Sequence, residues 1–245
     1  MKRKLAVFEL TGCGGCDLNI IFLGKKILDL LEFYEICHFQ MMTSKHIDGP
    51  YDVGIVTGSV SSSRDLQILK KARESSKILI ALGTCAVYGG LQAYPDMIEN
   101  ELVEIIYGKE ESPKDVIKGK AISSYVNVEL YLPGCPYDPE ELFQALIDLA
   151  KGTVPSGKDY PVCLECKLNE YECVLVKKGA ICLGPVTLGG CNAACIRSGV
   201  GCIGCRGPLP KDANFASEVE ILRELGYSED YIKKRMSLFS KNQWR

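Results

Sequence analysis

The sequence predicts an α/β protein: a doubly wound parallel sheet followed by a small, irregular cysteine-rich domain. Over the first 150 residues, short apolar runs alternate with amphipathic segments. This alternation is typical of parallel strands with helices on both faces of the sheet. Eight of the 13 cysteines then fall between Cys163 and Cys205, where apolar periodicity is weak. Pro155 and Gly157 mark a boundary, which divides the chain into residues 1–152 and 153–245.

The first domain contains five predicted strands, each a short apolar run. They cover residues 4–10, 35–39, 52–57, 77–82 and 126–132. Helices are predicted from Asp17 through Leu31, over 64–75 and over 138–150, from their apolar spacing. Residues 92–124 are charged and irregular, and we interpret them as an insertion.

The second domain is expected to fold around metal, because it lacks the apolar residues for a core of its own. In the tail that follows, Ser217 and Glu220 have the spacing of a capping box. Gly226 is the predicted stop of that helix.

Composition limits the classes of partner and compartment. A formal net charge of −2 gives no reason to expect nucleic acid. No run of 18 apolar residues is present, so no membrane partner is expected. The apolar run near the N-terminus is broken by Glu9, which favours a first strand over an export signal. We therefore expect a reducing, cytoplasmic location, where cysteines are more often metal ligands than disulfides.

One set of four cysteines follows the predicted strands. Because parallel strands end at one edge of a sheet, these cysteines are expected to converge there. They are Cys13 and Cys16 after the first strand, Cys85 after the fourth and Cys135 after the fifth. The neighbouring glycines, which would let the backbone wrap closely around a bulky group, are the candidate cofactor-binding residues Gly12, Gly14, Gly15, Gly83 and Gly134. A phosphate-binding loop at residues 11–16 is the alternative, although no Gly-Lys-Ser/Thr follows it.

The remaining cysteines, apart from Cys37, form two further sets of four. Grouped by order, they are Cys163, Cys166, Cys173 and Cys182, then Cys191, Cys195, Cys202 and Cys205. Four thiolates are what a cubane iron–sulfur cluster requires, although ligands can cross between clusters. Structural zinc is the alternative, since the Cys-x2-Cys pairs would suit a zinc ribbon. Cys37 is expected to pack as a small hydrophobic residue.

The motifs around these cysteines resemble those of the small subunit of nickel–iron hydrogenases. They are Thr-Gly-Cys-Gly-Gly-Cys at 11–16, Gly-Thr-Cys at 83–85, Pro-Gly-Cys-Pro at 133–136, Cys-Leu-Gly-Pro-Val-Thr at 182–187, Cys191, and Cys-Ile-Gly-Cys at 202–205. The short form is most similar to the delta subunit of cytoplasmic sulfhydrogenases and to the small subunit of methyl-viologen-reducing hydrogenases.

The resemblance implies a flavodoxin-like first domain and three [4Fe–4S] clusters. Cys13, Cys16, Cys85 and Cys135 would hold a proximal cluster, the set from Cys191 to Cys205 a medial one, and the set from Cys163 to Cys182 a distal one. The partners would be a large subunit carrying the nickel–iron site and a flavin- or iron–sulfur-containing electron-transfer subunit. This chain would then carry electrons between them, with the hydrogen-splitting site on the large subunit.

Three positions depart from better-known members of the family. Cys163 matches a position where relatives use histidine, and Cys195 supplies a fourth ligand to the medial set. Both changes predict all-thiolate clusters of low potential, suited to a nicotinamide, flavin or ferredoxin partner. Thr57 stands where many relatives carry an acidic residue, which puts a proton-relay role at that turn in doubt.

Three other functions are considered. A zinc-stabilised structural or interaction subunit would use the same cysteines without electron transfer. A related respiratory-complex subunit would lack the eight-cysteine domain and would carry two cysteines in direct succession, which this chain does not. A disulfide-rich secreted protein is disfavoured by the α/β pattern.

Overall fold

A five-stranded, fully parallel sheet organises the first half of the molecule. The structure is a computed structural model that describes residues 2–93, 108, 117–241 and 243–244. The strands are β1 (Arg3–Glu9), β2 (Tyr34–His38), β3 (Tyr51–Thr57), β4 (Ser76–Leu82) and β5 (Leu130–Leu132). Their order is β2-β1-β3-β4-β5, which is the flavodoxin-like order, and this confirms the predicted α/β class.

Ten helices are described. Those associated with the sheet are α1 (Gly15–Ile21), α2 (Lys26–Phe33), α3 (Ser63–Ser75), α4 (Gly83–Tyr88) and α5 (Pro139–Lys151). Those after residue 152 are α6 (Val162–Leu168), α7 (Val174–Lys178), α8 (Ala194–Arg197), α9 (Phe215–Glu224) and α10 (Glu229–Ser237). Short 3-10 turns lie at Gly90–Ala93 and Ile122–Ser124.

Alternate strand residues pack on opposite faces of the sheet, because successive side chains in a strand point to opposite sides. On one face, Val7 and Ile55 pack with apolar residues of α1, α2 and α5. On the other face, Phe8 and Val56 pack with apolar residues of α3 and α4. Cys37 is fully buried on this second face, which confirms that it packs as a hydrophobic residue.

The elements around the sheet differ from the sequence prediction at three points, and α6, α7, α8 and α10 after residue 152 were not predicted. The helix expected from Asp17 to Leu31 is divided into α1 and α2, with Gly24 between them at φ +59°. The short helix α4 was not predicted, since its six residues begin with glycine and show no full amphipathic period. The fifth strand is shorter than the predicted 126–132, because the Glu129 carboxylate accepts the Leu79 N–H at 2.7 Å and ends the ladder there.

The expectation that the second domain lacks a core of its own is wrong. Ile181, Leu183 and Val186 pack with Leu222, Ile232 and Met236 in one buried cluster. Its two halves come from a loop and from the tail helices α9 and α10, about 40 positions apart in sequence. Periodicity within a single segment could not reveal them.

The predicted capping box is also wrong. The side chain of Asn214 caps α9 by accepting the Ser217 N–H at 3.0 Å, so Ser217 lies inside the helix. Gly226 lies just past the end of α9 at φ +90°, as expected for a helix stop. Of the proposed insertion, residues 94–107 and 109–116 lie outside the described residues, and Ile122 is fully buried. In the described ranges, no helix has both the length and the apolar composition needed to cross a membrane.

Leu142→Ala tests the packing of α5 on the sheet. Leu142 is fully buried, and its truncation is expected to lower the free energy of unfolding by about 2–5 kcal/mol. The control is Leu28→Ala on α2, because Leu28 is 65% exposed and its loss should cost less than about 0.5 kcal/mol. Urea denaturation followed by circular dichroism measures both, and equal effects would contradict the packing described here.

Candidate metal centres formed by cysteine thiols

The carboxyl edge of the sheet brings Cys13, Cys16, Cys85 and Cys135 together, and we call them the sheet-edge group. Cys85 and Cys135 follow the ends of β4 and β5, while Cys13 and Cys16 occupy the loop after β1 and the start of α1. All six pairs of these thiols interact electrostatically, each pair raising the pKa of at least one member. The convergence predicted from the strand ends is what the structure contains.

Burial and crowding make the thiolate form costly in this group. Burial, followed by the Cys85, Asp17, Cys135 and Cys13 charges, raises the pKa of Cys16 to about 12. Burial also raises the pKa of Cys85 and Cys135, with further contributions from neighbouring thiols. Positively charged metal would reverse this preference, because it stabilises thiolates. Cys13 and Cys135 are exposed, so the group opens onto the molecular surface.

Two of the candidate glycines lie against the sulfurs. Gly83 has φ +83°, and a Cβ added there would overlap the Cys16 Sγ. A Cβ on Gly15 would lie 3.3 Å from the Cys13 Sγ. A Cβ added at the other three would not meet a sulfur. It would contact Gly58 from Gly12, Met41 from Gly14, and the backbone of Tyr137 from Gly134. Gly83 and Gly15 therefore shape the cavity around the thiols, and the rest shape its loops.

The eight later cysteines lie in two groups that follow their sequence order. In the outer group, the Cys163 thiol interacts with Cys166, Cys173 and Cys182, and burial together with these neighbours raises its pKa to about 12. In the middle group, the Cys205 thiol interacts with the thiols of Cys191, Cys195 and Cys202. Cys202 of the middle group also interacts with Cys182 of the outer group, so the grouping by order stays a prediction.

Backbone N–H groups are directed at several of these sulfurs. Gly204 N–H donates to the Cys202 Sγ at 3.5 Å, Gly184 N–H donates to Cys182, and Ala194 N–H donates to Cys191. A Cβ on Gly184 would lie 3.4 Å from the sulfurs of both Cys163 and Cys182. Such N–H···S contacts stabilise thiolate charge and tune the potential of iron–sulfur clusters.

Two contacts connect the three groups in a line. The Cys135 backbone N–H donates to the Cys205 Sγ, which joins the sheet-edge group to the middle group. The Cys202 N–H donates to the Cys182 Sγ at 3.2 Å, which joins the middle group to the outer group. The order is therefore sheet-edge, middle, outer.

Sequence reasoning missed two polar residues that position the cysteines. The buried Glu165 carboxylate accepts the N–H of Gly190 at 2.5 Å and of Ala193 at 3.0 Å, and so shapes the loop of Cys191. The Thr84 hydroxyl accepts the Gly134 N–H at 3.0 Å and donates to the Cys205 carbonyl. Only their positions beside Cys166 and Cys85 in the sequence could have drawn attention to them.

Thr57 and Asp17 form a buried hydrogen bond beside the sheet-edge group. The Thr57 hydroxyl donates to the Asp17 carboxylate at 2.7 Å. Burial raises the pKa of Asp17, and the Thr57 hydrogen bond partly offsets that effect. The acidic group at this turn is therefore Asp17 of α1. In many relatives, the acidic residue is expected at the position of Thr57 instead.

All thirteen cysteines are free thiols. Among the described parts of the chain, no group of three or more histidine, cysteine, aspartate or glutamate side chains is arranged to hold a metal ion as it stands. The three groups are therefore sets of neighbouring thiols. Thiol donors that accept N–H···S contacts suit iron–sulfur clusters, and the absence of a side chain at Gly83 leaves space for one at the sheet-edge group.

Comparison with protein families identifies a match over residues 13–149 to the family described as NADH ubiquinone oxidoreductase, 20 Kd subunit. The sulfhydrogenase 2 subunit delta of Pyrococcus furiosus is 56% identical over 233 residues, which are 94% of this chain and 97% of that protein. A vhu subunit of the F420-non-reducing hydrogenase of Methanocaldococcus jannaschii is 30% identical, over 97% of this chain and 93% of its own.

Solved structures share the fold. A chain of an NAD+-reducing [NiFe]-hydrogenase in the H2-reduced state is 27% identical with a TM-score of 0.58, over 64% of this chain and 96% of that one. A chain of the actinobacterial-type NiFe-hydrogenase of Ralstonia eutropha H16 has a TM-score of 0.63, over 94% of this chain and 91% of its own. At 15% identity, the second likeness supports the fold alone.

Gly83→Ala tests the cavity of the sheet-edge group. The new Cβ would overlap the Cys16 Sγ, so the variant is expected to lose metal from this group as well as stability. Gly152→Ala is the control, because Gly152 has a similar φ of +78° but no atom within 4 Å of an added Cβ. Its cost should be the backbone strain of about 1–2 kcal/mol alone. Equal metal content in both purified variants, measured by elemental analysis, would contradict the role of Gly83.

Proposed function

The chain belongs to the hydrogenase small-subunit family, and from this membership we propose that it conducts electrons through three [4Fe–4S] clusters. The clusters would connect the nickel–iron site of a partner large subunit with a redox partner subunit. The sheet-edge group would hold the proximal cluster, the middle group the medial cluster and the outer group the distal cluster. The division into a flavodoxin-like domain of residues 1–152 and a cluster domain of residues 153–245 belongs to the same proposal.

The observation that carries this proposal is the linear order of the three thiol groups. The contacts of Cys135 with Cys205 and of Cys202 with Cys182 place each group next to the following one. Metal sites that only stabilise a fold do not have to be adjacent, whereas electron transfer requires neighbouring centres. The exposure of the thiols agrees with this order: Cys13 and Cys173 are exposed at the two ends, whereas the middle group has no exposed member.

A [4Fe–4S] cluster supplies a centre that accepts and releases a single electron with its four thiolate ligands in place. The protein contributes the rest. Its thiols would hold the cluster, its N–H groups would stabilise the negative charge on sulfur, and its apolar clusters would exclude water around the middle group. All-thiolate ligation, including Cys163, favours a low potential. Cysteines that serve as metal ligands and not as disulfides are expected in a reducing, cytoplasmic location.

Exposed apolar residues lie on the segments that carry or adjoin the sheet-edge group, and we assign this face to the large subunit. Phe22 and Leu18 on α1 are 74% and 44% exposed. Met41, which lies against Gly14, is 43% exposed, and Leu91, whose N–H donates to the Cys85 sulfur, is 49% exposed. Apolar side chains gathered around an exposed site are typical of an interface.

A second set of exposed apolar residues lies beside the outer group. Leu168 on α6 and Val176 on α7 are 75% and 78% exposed, and Leu164 is 42% exposed. These helices carry or follow Cys163, Cys166 and Cys173. We assign this face to the electron-transfer partner, a subunit that carries flavin or iron–sulfur clusters and exchanges electrons with a nicotinamide, a flavin or a ferredoxin.

Metal analysis of the complex purified from its native host tests the function. We expect a brown protein with broad visible absorption, about twelve irons on this chain and nickel in a heavier bound subunit. A colourless chain with stoichiometric zinc and no iron would establish the alternative, a zinc-stabilised interaction subunit, and would refute the electron-transfer function.

Phe22→Glu and Leu168→Glu test the two docking faces, and each is the control for the other because their exposures match at 74% and 75%. Phe22→Glu should weaken binding of the nickel-containing subunit at least tenfold while the electron partner stays bound. Leu168→Glu should do the reverse, since a buried, unpaired carboxylate disfavours whichever interface contains it. Affinity purification with quantification of each subunit measures both effects. Loss of the same subunit in both variants would refute the assignment.

A further inference from the structure

Among the described residues, Arg206 is one of the largest side chains that are fully buried, and at 1% exposure it retains a permanent positive charge. Burying such a charge is unfavourable unless it is paired and hydrogen-bonded. Arg206 follows Cys205 directly in the sequence. The contacts of the guanidinium explain why this charged side chain is buried.

The guanidinium makes four hydrogen bonds to three separate segments. Its Nε donates to the Gly189 carbonyl and its Nη1 to the Pro133 carbonyl, both at 2.7 Å. Its Nη2 donates to the two carboxylate oxygens of Glu141 at 3.1 and 2.9 Å. Pro133 lies two positions before Cys135, and Gly189 lies two positions before Cys191. One side chain thus connects the loops of Cys135, Cys191 and Cys205.

The fit around this side chain is close. Gly190 has φ +112°, and a Cβ added there would overlap the guanidinium. The charge also lies close to the middle group, because Arg206 follows Cys205 directly and its Nε bonds the Gly189 carbonyl, two positions before Cys191. Arg206 consequently combines a geometric role at the junction of two thiol groups with an electrostatic one.

We propose that Arg206 is a positioning residue that fixes the sheet-edge loop against the middle group and raises the reduction potential of the cluster held there. The inference rests on the proposed function. A fixed positive charge favours the more negative, reduced state of a nearby cluster, so it shifts the potential upward. The Glu141 carboxylate opposes this effect and orients the guanidinium through its two-oxygen contact.

Four variants in the intact hydrogenase complex separate charge from geometry. Arg206→Gln removes the charge, Arg206→Lys keeps the charge but cannot reach all three segments, and Glu141→Gln removes the opposing carboxylate. Arg73→Gln is the matched control, because Arg73 also makes four hydrogen bonds, to Asn127, Glu129, Ser76 and Lys77, away from the cysteines. EPR-monitored redox titration reports the potential of each cluster, and thermal unfolding reports the stability.

We expect Arg206→Gln to lower the potential of the medial cluster, Glu141→Gln to raise it, and Arg206→Lys and Arg73→Gln to leave it near the wild-type value. Both Arg206 variants should unfold at a lower temperature than the wild type. If Arg206→Gln fails to fold, Arg206→Lys and Glu141→Gln still test the proposal, because only the second of them changes the charge near the cluster.

The proposal is overturned if Arg206→Gln shifts the potential no more than Arg73→Gln, or if the two Arg206 variants shift it equally. With Arg206→Gln unfolded, Glu141→Gln at the wild-type potential overturns it. Iron analysis of the wild-type complex distinguishes the two levels of inference. Iron with unchanged potentials in the variants refutes the role of Arg206 alone, whereas a wild-type chain without iron refutes the proposed function together with it.

Discussion

The contact between the loop after β5 and the loop of Cys205 is the interaction on which the arrangement of the three thiol groups depends. The sheet fixes Cys85 and Cys135, but no described strand reaches the region after residue 152. That region is joined to the sheet edge by polar contacts: Cys135 with Cys205, Thr84 with Cys205, and Arg206 with Pro133. Because hydrogen bonds are directional, they fix a position that apolar packing alone would leave adjustable.

A cost accompanies this arrangement, since thiols that are buried in the folded protein favour the protonated form. Burial raises the pKa of Cys16, Cys163, Cys191 and other members of each group. Under the proposed function, metal binding would therefore compete with protons for these thiols. The later cysteines are themselves part of the packing, because Cys166, Cys182 and Cys202 lie in an apolar cluster with Val162, Val174 and Ile196. Metal loading of these cysteines would therefore be coupled to folding in this region.

The exposure of the three thiol groups matches what electron transfer between two partner subunits would require. Each end has at least one exposed cysteine, whereas the middle group has none. Under the proposed function, an electron would enter and leave at interfaces with other subunits. The fold itself does not dictate this use, because the same parallel sheet supports many unrelated functions. The proposed use depends on the cysteines that are placed at the sheet edge and beyond it.

The sequence by itself determined the α/β class, the five strands and the convergence of Cys13, Cys16, Cys85 and Cys135. Apolar runs with a fixed period identify strands, and parallel strands must end at a common edge. Only the tertiary structure decided the neighbours of Arg206, the cap at Asn214 and the apolar cluster around Ile181 and Leu222. Each of these depends on segments far apart in the chain, and a local pattern carries no information about which distant segment will supply the partner. The strand-end cysteines were predictable because one repeated element, the sheet, positions them all.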